Sequence, residues 1–387
     1  MSETPVPLLV GFDGRAANTA DPLGAAVYAR ELLRELVRPD LGLALRVYLD
    51  AAPRAGFPLR TDEADVRILP PARFWTQRRL GAEVTKDPPD VLLCPVTQAP
   101  WLSPCPIAVT NHGLVYYEQD GRRIVEPRDC LPLMMRLRRV LLCWLQVHRA
   151  SRILMVSEDS KQVFVQHTGI APERVCVTYH GHSLDFRPQT DETAHRRVRE
   201  RYDLPPRFFL YTGRLGPRKN VVRLVEAFEA FRDSYPDLPQ ELVLAGGPEW
   251  HAEPILRAIG ESRHTGAIHV IGHVGHDDMP TLMTLADALV LVSLCESFGI
   301  PVIEAMACGT PVLTSNTTSM PEIVGDAALL VSPTDVPAIA GALRRLVTDQ
   351  GLRAQLIEKG FARAAGFTWR NTALQTCEAL RQVVTGT

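Results

Sequence analysis

The chain has 387 residues, 46% of them hydrophobic and 22% charged, with a formal net charge of −2. That length is generous for one core and comfortable for two domains, and the near-neutral balance removes any global electrostatic case for nucleic acid. Among the basic residues arginine dominates, with lysine confined to Lys86, Lys161, Lys219 and Lys359, so a lysine inside a motif stands out. The N-terminal "MSETPVPLLVGFDG" has no basic start followed by a long apolar run, so no signal peptide is expected. No apolar stretch is long enough to span a bilayer. The eight cysteines are scattered without a C-x-x-C pair, several in apolar runs, and read as buried free thiols in a cytoplasmic protein.

Short apolar runs then alternate with helical periodicity. In the first half the expected strands are "PLLVGFD", "ALRVYLD", "DVRILP", "DVLLCPV", "IAVTNH", "RILMVS" and "RVCVTYH". "GAAVYARELLRELVR" between the first two has helical spacing. "LPLMMRLRRVLLCWLQVHRA" (residues 131–150) mixes Arg136, Arg138 and Arg139 with Leu, Met and Trp144. Its nearly continuous apolar character favours a packed helix over the other reading, peripheral contact with an anionic membrane surface such as the inner face of the membrane. The polar "HSLDFRPQTDETAHRRVRERYDLPPR" (182–207) interrupts the alternation and reads as a link, with a helical part open. The second half offers "RFFLYTG", "ELVLAGG", "AIHVIGHV", "ALVLVS", "TPVLTSN" and "ALLVS" as strands. "NVVRLVEAFEAFRDSY" carries Leu224, Phe228 and Phe231 on one face, with Asn220 as its N-cap. The Asp pair in "GHDDMP" reads as a helix cap, and "FTWRNTALQTCEALRQVV" as the closing helix.

Strands separated by helices imply parallel sheets covered on both faces, hence an α/β chain of two doubly wound, Rossmann-like domains facing across a cleft. The expected domains are 1–185 and 186–370, with a closing helix over 371–387 that can return to the first. Ligands in such sheets sit beyond the strands' carboxyl ends. Two motifs occupy such places. In "YTGRLGPRKN", Gly213 permits an unusual backbone angle, and Arg214, Arg218 and Lys219 crowd a helix start that already favours an anion. A diphosphate compensates three cations, through bidentate arginine bonds and a lysine point charge. In "ESFGIPVIEAMACGTPV", Pro301 suits the first helical position, and the amides of Gly299 and Ile300 are free at a helix start. Glu296 and Glu304 flank Phe298 and Gly299, a pair of carboxylates suited to a polyhydroxylated, anionic ligand.

These motifs, with "VSEDSKQVFVQHTGIAPERV", resemble those of the retaining glycosyltransferases of family 4, which have the GT-B fold. The layout is most similar to the mannosyltransferase-B-like branch associated with surface polysaccharide assembly. The resemblance runs from about residue 8 to the closing helix. It implies that Arg214 and Lys219 hold the donor's diphosphate and stabilise it as leaving group. Glu304 then binds the ribose hydroxyls and Glu296 the hydroxyls of the sugar ring. Backbone groups at Phe298, Gly299 and Ile300 meet sugar and phosphate, and Val274 lies near the base. His112 matches a histidine that reaches the transferred sugar, and Gly24 a glycine loop beside the diphosphate and acceptor. A strand-end structural role for His112 stays open.

Three places depart from the family pattern. "DPLGAAVYAREL" has Ala25 and Ala26 in the glycine loop, His112 is followed by Gly113 rather than aspartate, and the interdomain motif reads "GHSLD". The first two leave the acceptor open: a glycan, a lipid-linked or a small-molecule acceptor. The expected activity is transfer of a hexose, of mannose or glucose type, from a GDP or UDP sugar. No metal or other cofactor is expected, because no D-x-D follows an apolar strand and fixed cations can take the leaving charge. A nucleotide-sugar epimerase, a phosphorylase (for which Lys359 is the lone C-terminal lysine) and a non-catalytic sugar-nucleotide-binding protein are the alternatives.

Overall fold

The computed structural model describes residues 7–19, 24–60, 63–113, 116–119, 122–125, 144, 148–249 and 251–386. The chain divides into two compact units, one of Met1–Leu114, Leu131–Gly181 and Trp369–Thr387, the other of Val115–Cys130 and His182–Thr368. The main divisions fall after Gly181 and Thr368 rather than after 185 and 370, and Val115–Cys130 is a further excursion into the second unit. Nearly all of residues 131–150, where the membrane reading was placed, lies outside the described residues.

In the first unit, strand β1 (Leu8–Asp13) leads into helix α1 (Ala25–Leu36), followed by β2 (Leu43–Leu49), β3 (Asp65–Ile68), α2 (Gly81–Lys86), β4 (Val91–Cys94) and β5 (Ile107–Asn111). A two-stranded antiparallel hairpin, β6 (Tyr116–Gln119) and β7 (Arg122–Val125), interrupts the series and is grouped with the second unit. The series resumes with β8 (Arg152–Met155), α3 (Glu158–Thr168) and β9 (Val175–Val177). Seven strands form one parallel sheet in the order β3-β2-β1-β4-β5-β8-β9. All seven apolar runs read as strands in this half are in it. Helix α1 buries Tyr28, Ala29, Leu32, Leu33 and Leu36, one face at helical spacing.

The main part of the second unit starts with α4 (Glu192–Tyr202), inside the stretch read as a link. Asp191 caps it by accepting from the Thr193 amide. Its polar composition reflects how little of it is buried, with Val198 as its buried residue. Then come β10 (Phe208–Thr212), α5 (Val221–Ser234), β11 (Glu241–Ala245), α6 (Glu253–Glu261), β12 (Ile268–Gly272), α7 (Met279–Leu285) and β13 (Ala288–Leu291). The unit ends with α8 (Ile300–Ala307), β14 (Val312–Ser315), α9 (Met320–Val324), β15 (Leu329–Val331), α10 (Val336–Thr348) and α11 (Gln350–Ala364). Its six-stranded parallel sheet runs β12-β11-β10-β13-β14-β15. Both sheets are thus Rossmann-like, each reversing direction beside its first strand.

The last helix, α12 (Trp369–Thr385), belongs to the first unit. Trp369, Ala373, Cys377 and Leu380 join the same apolar cluster as Tyr28, Leu32 and Leu36. Arg381 donates to the Leu41 carbonyl at 2.6 Å, and Thr372 Oγ1 donates to the Tyr179 carbonyl at 2.6 Å. The expected Asp cap is corrected. Asp278 stands at the N-cap of α7, but its carboxylate caps nothing. It accepts instead from Arg197 (2.8 Å), Arg201 (2.9 Å) and the Tyr202 hydroxyl (2.9 Å), tying α4 to α7.

Candidate functional site

The second unit's site grows from the carboxyl ends of β10 and β13, neighbours at the point where strand order reverses. Beyond β10 the chain turns at Gly213, φ 137°, whose amide donates to Ala245 O at 2.9 Å. Leu215 N donates to Gly247 O at 2.9 Å, and the Tyr211 hydroxyl to Arg214 O at 2.8 Å. The backbone of the cation-bearing loop is therefore pinned from two sides. The side chain of Arg214 is exposed.

Asn220 precedes α5 but does not cap it with its side chain; its φ is 59°, left-handed. Its amide reaches across the sheet's end and donates to Val292 O at 2.9 Å and Pro333 O at 2.6 Å. The cap role read from sequence is thus replaced by a tie between three loops. Leu294 N donates to Arg218 O at 2.9 Å, a further tie.

Those ties bring Lys219 and Glu296 together, 77 residues apart. Lys219 Nζ lies 2.5 Å from Glu296 Oε1, with both side chains largely buried. Ser293 Oγ donates to the same oxygen at 2.7 Å. Burial pushes the Glu296 carboxyl up, but Lys219, Arg218 and the two hydrogen bonds outweigh it and hold the group below the usual carboxylate range. Among the described residues Oε2 of Glu296 has no partner, so one oxygen is fixed and the other is presented.

Gly299, φ 87°, stands immediately before α8, and Pro301 occupies its first turn. A Cβ on Gly299 would fall 2.5 Å from Met320 Cε, so glycine is required there twice over. The amides of Gly299 and Ile300 have no partner among the described residues. Phe298 is buried edge-on against Phe367, ring centroids 5.6 Å apart. Further along α8, the side-chain carboxyl of Glu304 has no hydrogen-bond partner among the described residues, and burial pushes it up to about 8. Unlike Glu296 it is protonated at neutral pH, able both to donate and to accept. Val274 is buried in the loop after β12. No hydrogen bond joins that loop to the Lys219–Glu296 pair among the described residues. No group of three or more His, Cys, Asp or Glu among the described residues is arranged to hold a metal ion.

In the first unit, Gly24 is the N-cap of α1 at φ 53°, with open space where a Cβ would go. His112 lies just past β5. Its ring packs edge-on to Tyr28 (4.8 Å) and stacks on His180 (5.4 Å, 16°). His112 Nε2 donates to Pro95 O at 2.8 Å, which leaves Nδ1 as an acceptor. Burial lowers His112 to about 4, so the imidazole is neutral at physiological pH. His112 thus has the packing role of a strand-end histidine, and its Nδ1 has no hydrogen-bond partner among the described residues.

Sequence reasoning passed over three features. One is the Gly246–Gly247 pair after β11: a Cβ on Gly246 would fall 1.9 Å from Gly213 O. The double glycine in "LAGGPE" was the available signal. The second is the hydroxyl-rich "TSNTTSM" after β14, whose side chains hold the Glu296 loop. The third is Ser293.

A family model described as Glycosyltransferase Family 4 matches residues 23–186, and one described as Glycosyl transferases group 1 matches residues 193–363. O-antigen chain mannosyltransferase B of Escherichia coli is 33% identical over 237 residues, 60% of this chain and 61% of that protein. Serotype-specific mannosyltransferase WbdA of Escherichia coli is 29% identical over 75% of this chain and 34% of its own length. The chain thus spans less than two thirds of these curated relatives. Among solved structures, Anabaena HepE in complex with UDP-glucose superposes with a TM-score of 0.72 at 20% identity, covering 97% of this chain and 99% of that one.

Proposed function

The chain belongs to the family 4 glycosyltransferases of the GT-B fold, and from that premise we propose that it is a retaining hexosyltransferase using a nucleotide diphosphate sugar. The observation that carries this reading is the buried Lys219–Glu296 pair at 2.5 Å, set beside a helix start and a Glu304 carboxyl that have no hydrogen-bond partner among the described residues. A lone buried ion pair is weak evidence for a structural role, because its desolvation cost rivals its attraction.

The donor's diphosphate lies against Arg214, Lys219 and the amides of Gly299 and Ile300. As the bond to the sugar breaks, negative charge grows on the β-phosphate. Cations and amides already in place stabilise it without a reorganisation cost. Lys219 has three protons, so it can hold Glu296 and a phosphate oxygen together. This arrangement supplies the charge that a divalent cation would otherwise bring, and no metal enters the proposal. Glu304 takes the ribose hydroxyls and Glu296 Oε2 a hydroxyl of the transferred sugar. The main chain at Val274 meets the base. Within the first unit, His112 keeps an Nδ1 lone pair for a hydroxyl and Gly24 leaves open space beside its helix, and both are assigned to the acceptor. No side chain is cast as a covalent nucleophile; attack from the leaving-group face gives retention.

Mannose is the sugar named for the two curated relatives and UDP-glucose the ligand of HepE, so the donor is GDP-mannose or a UDP-hexose. The acceptor is a glycan, lipid-linked or small molecule in polysaccharide or glycoconjugate assembly. No described helix is long and apolar enough to cross a membrane. The described cysteines are free thiols, which fits our placing the reaction in the cytoplasm, including the inner face of the membrane.

A thermal-shift screen with UDP, GDP, ADP and dTDP and their sugars tests this. A ligand at 100 times its Kd adds about 2.7 kcal/mol. Stabilisation by one nucleotide series, followed by sugar transfer or donor hydrolysis with that series, is the expected result. No shift with any of them would sink the proposal.

A further inference from the structure

Glu296 is held at more points than an ion pair needs. Its backbone amide donates to Thr318 Oγ1 at 3.1 Å, and its carbonyl accepts from Ser319 Oγ at 2.8 Å. Both donors and acceptors come from consecutive residues of the loop between β14 and α9. The residues that bound this loop lean on the site as well. Ser315 Oγ donates to Ser293 O at 2.5 Å, and Met320, fully buried, fills the space over Gly299.

Thr318 is the unusual member. Its φ is 54°, in the left-handed region, which a β-branched residue enters at a cost of about 1–3 kcal/mol. Glycine would occupy this backbone without strain. Glycine, however, has no hydroxyl. Thr318 Oγ1 makes two bonds from this conformation, accepting the Glu296 amide and donating to Thr317 O at 2.8 Å. A strained backbone that persists with a bonded side chain indicates that the bond outweighs the strain, and the bond ends on Glu296.

We propose that Thr318 is a positioning residue for Glu296: its hydroxyl, held out by a left-handed backbone, sets the Glu296 main chain so that Oε1 meets Lys219 and Ser293 and Oε2 is presented to the transferred sugar. This rests on the reading of Glu296 as the group that meets sugar hydroxyls. It adds that a residue outside the paired-glutamate motif tunes sugar binding without touching the nucleotide.

Three variants of the full chain separate this role from general support of the fold. Thr318→Val keeps the β-branch and the strain but loses the hydroxyl. Thr318→Gly loses the hydroxyl and the strain. Thr318→Ser keeps the hydroxyl. Binding is measured by calorimetry with GDP and GDP-mannose, and with UDP and UDP-glucose, beside the melting temperature of each protein. In the series that the wild type binds, Val and Gly weaken the sugar nucleotide by about tenfold, the value of one hydrogen bond to an oriented charged group. The bare nucleotide changes less than about twofold. Ser rescues sugar binding. The melting temperature falls for Val and holds or rises for Gly, so the binding loss does not follow stability. Equal weakening of nucleotide and sugar nucleotide, or wild-type sugar binding in both Val and Gly, would overturn the proposal. A wild type that binds none of the four would instead overturn the reading of the site, and this inference with it.

Discussion

Gly246 sits so close to Gly213 that a Cβ on the former would lie 1.9 Å from the carbonyl oxygen of the latter. That contact sets how near β11's end approaches the cation-bearing loop, and neither residue can move without carrying Arg214 along. Gly246→Ala should therefore cost about 3 kcal/mol or more, overpacking adding to the strain of φ 149°. Donor affinity should fall with it. Chemical denaturation and nucleotide binding on the same protein check both; an alanine variant as stable as wild type would contradict the geometry.

Lys219→Ala should abolish transfer, and its stability should depend on pH in a particular direction. In the wild type Glu296 is held below its unfolded value, so its contribution is present above the unfolded pKa and lost as pH falls through the folded one. Without Lys219 only Arg218 and the Ser293 hydrogen bond oppose the burial of the carboxylate, and its folded value should rise. The variant's deficit should thus be small near pH 4 and grow to about 3 kcal/mol at pH 7. Adding Glu296→Gln should recover part of it. Urea titrations at the two pH values decide this, and a deficit independent of pH would count against it.

Glu304 shows the opposite sign. Its folded pKa of about 8 exceeds the unfolded value, so the native state keeps a proton that the unfolded chain releases. The resulting penalty is absent below about pH 4.5 and builds up as pH rises towards 8. Glu304→Gln should accordingly melt higher than wild type at pH 8 and with little difference at pH 4.5. Each kcal/mol is worth roughly 2–4 °C in domains of this size. Nucleotide affinity should drop in the same variant.

His112, lowered to about 4, and His180, held well below its ordinary value, are kept neutral by burial. Unfolding frees both to protonate near 6.5. Their contribution is therefore complete above that pH and lost as it falls towards 4. Stability of the first unit should decline by roughly 1–2 kcal/mol per histidine between pH 7 and 5. His180→Phe should make the decline shallower. Imidazole signals of both residues should show no titration between pH 6 and 8.

Much of this was readable before the fold was known, because the signals were local. Every apolar run read as a strand is one, and Leu224, Phe228 and Phe231 are on the buried face of α5. Glu296 and Lys219 could each be placed near one ligand because each follows a strand whose carboxyl end points the same way in a parallel sheet, but their direct contact, across 77 residues, was not legible. What escaped was set by partners distant in sequence. Asn220 looks like a cap until Val292 and Pro333 are beside it, and Asp278 until Arg197 and Arg201 are. Thr318 escaped for another reason: threonine's intrinsic preference is for strands, so nothing local announces a left-handed backbone. The helix within residues 182–207 was masked by its lack of an apolar face.

The return of α12 to the first unit has a consequence for synthesis. That unit's core needs Trp369, Ala373, Cys377 and Leu380, which leave the ribosome after the whole of 182–368. The second unit can therefore mature during translation, while the apolar surface around Tyr28 and Leu33 waits uncovered for the final turns. A nascent chain stalled before Trp369 should be the species that chaperones hold longest.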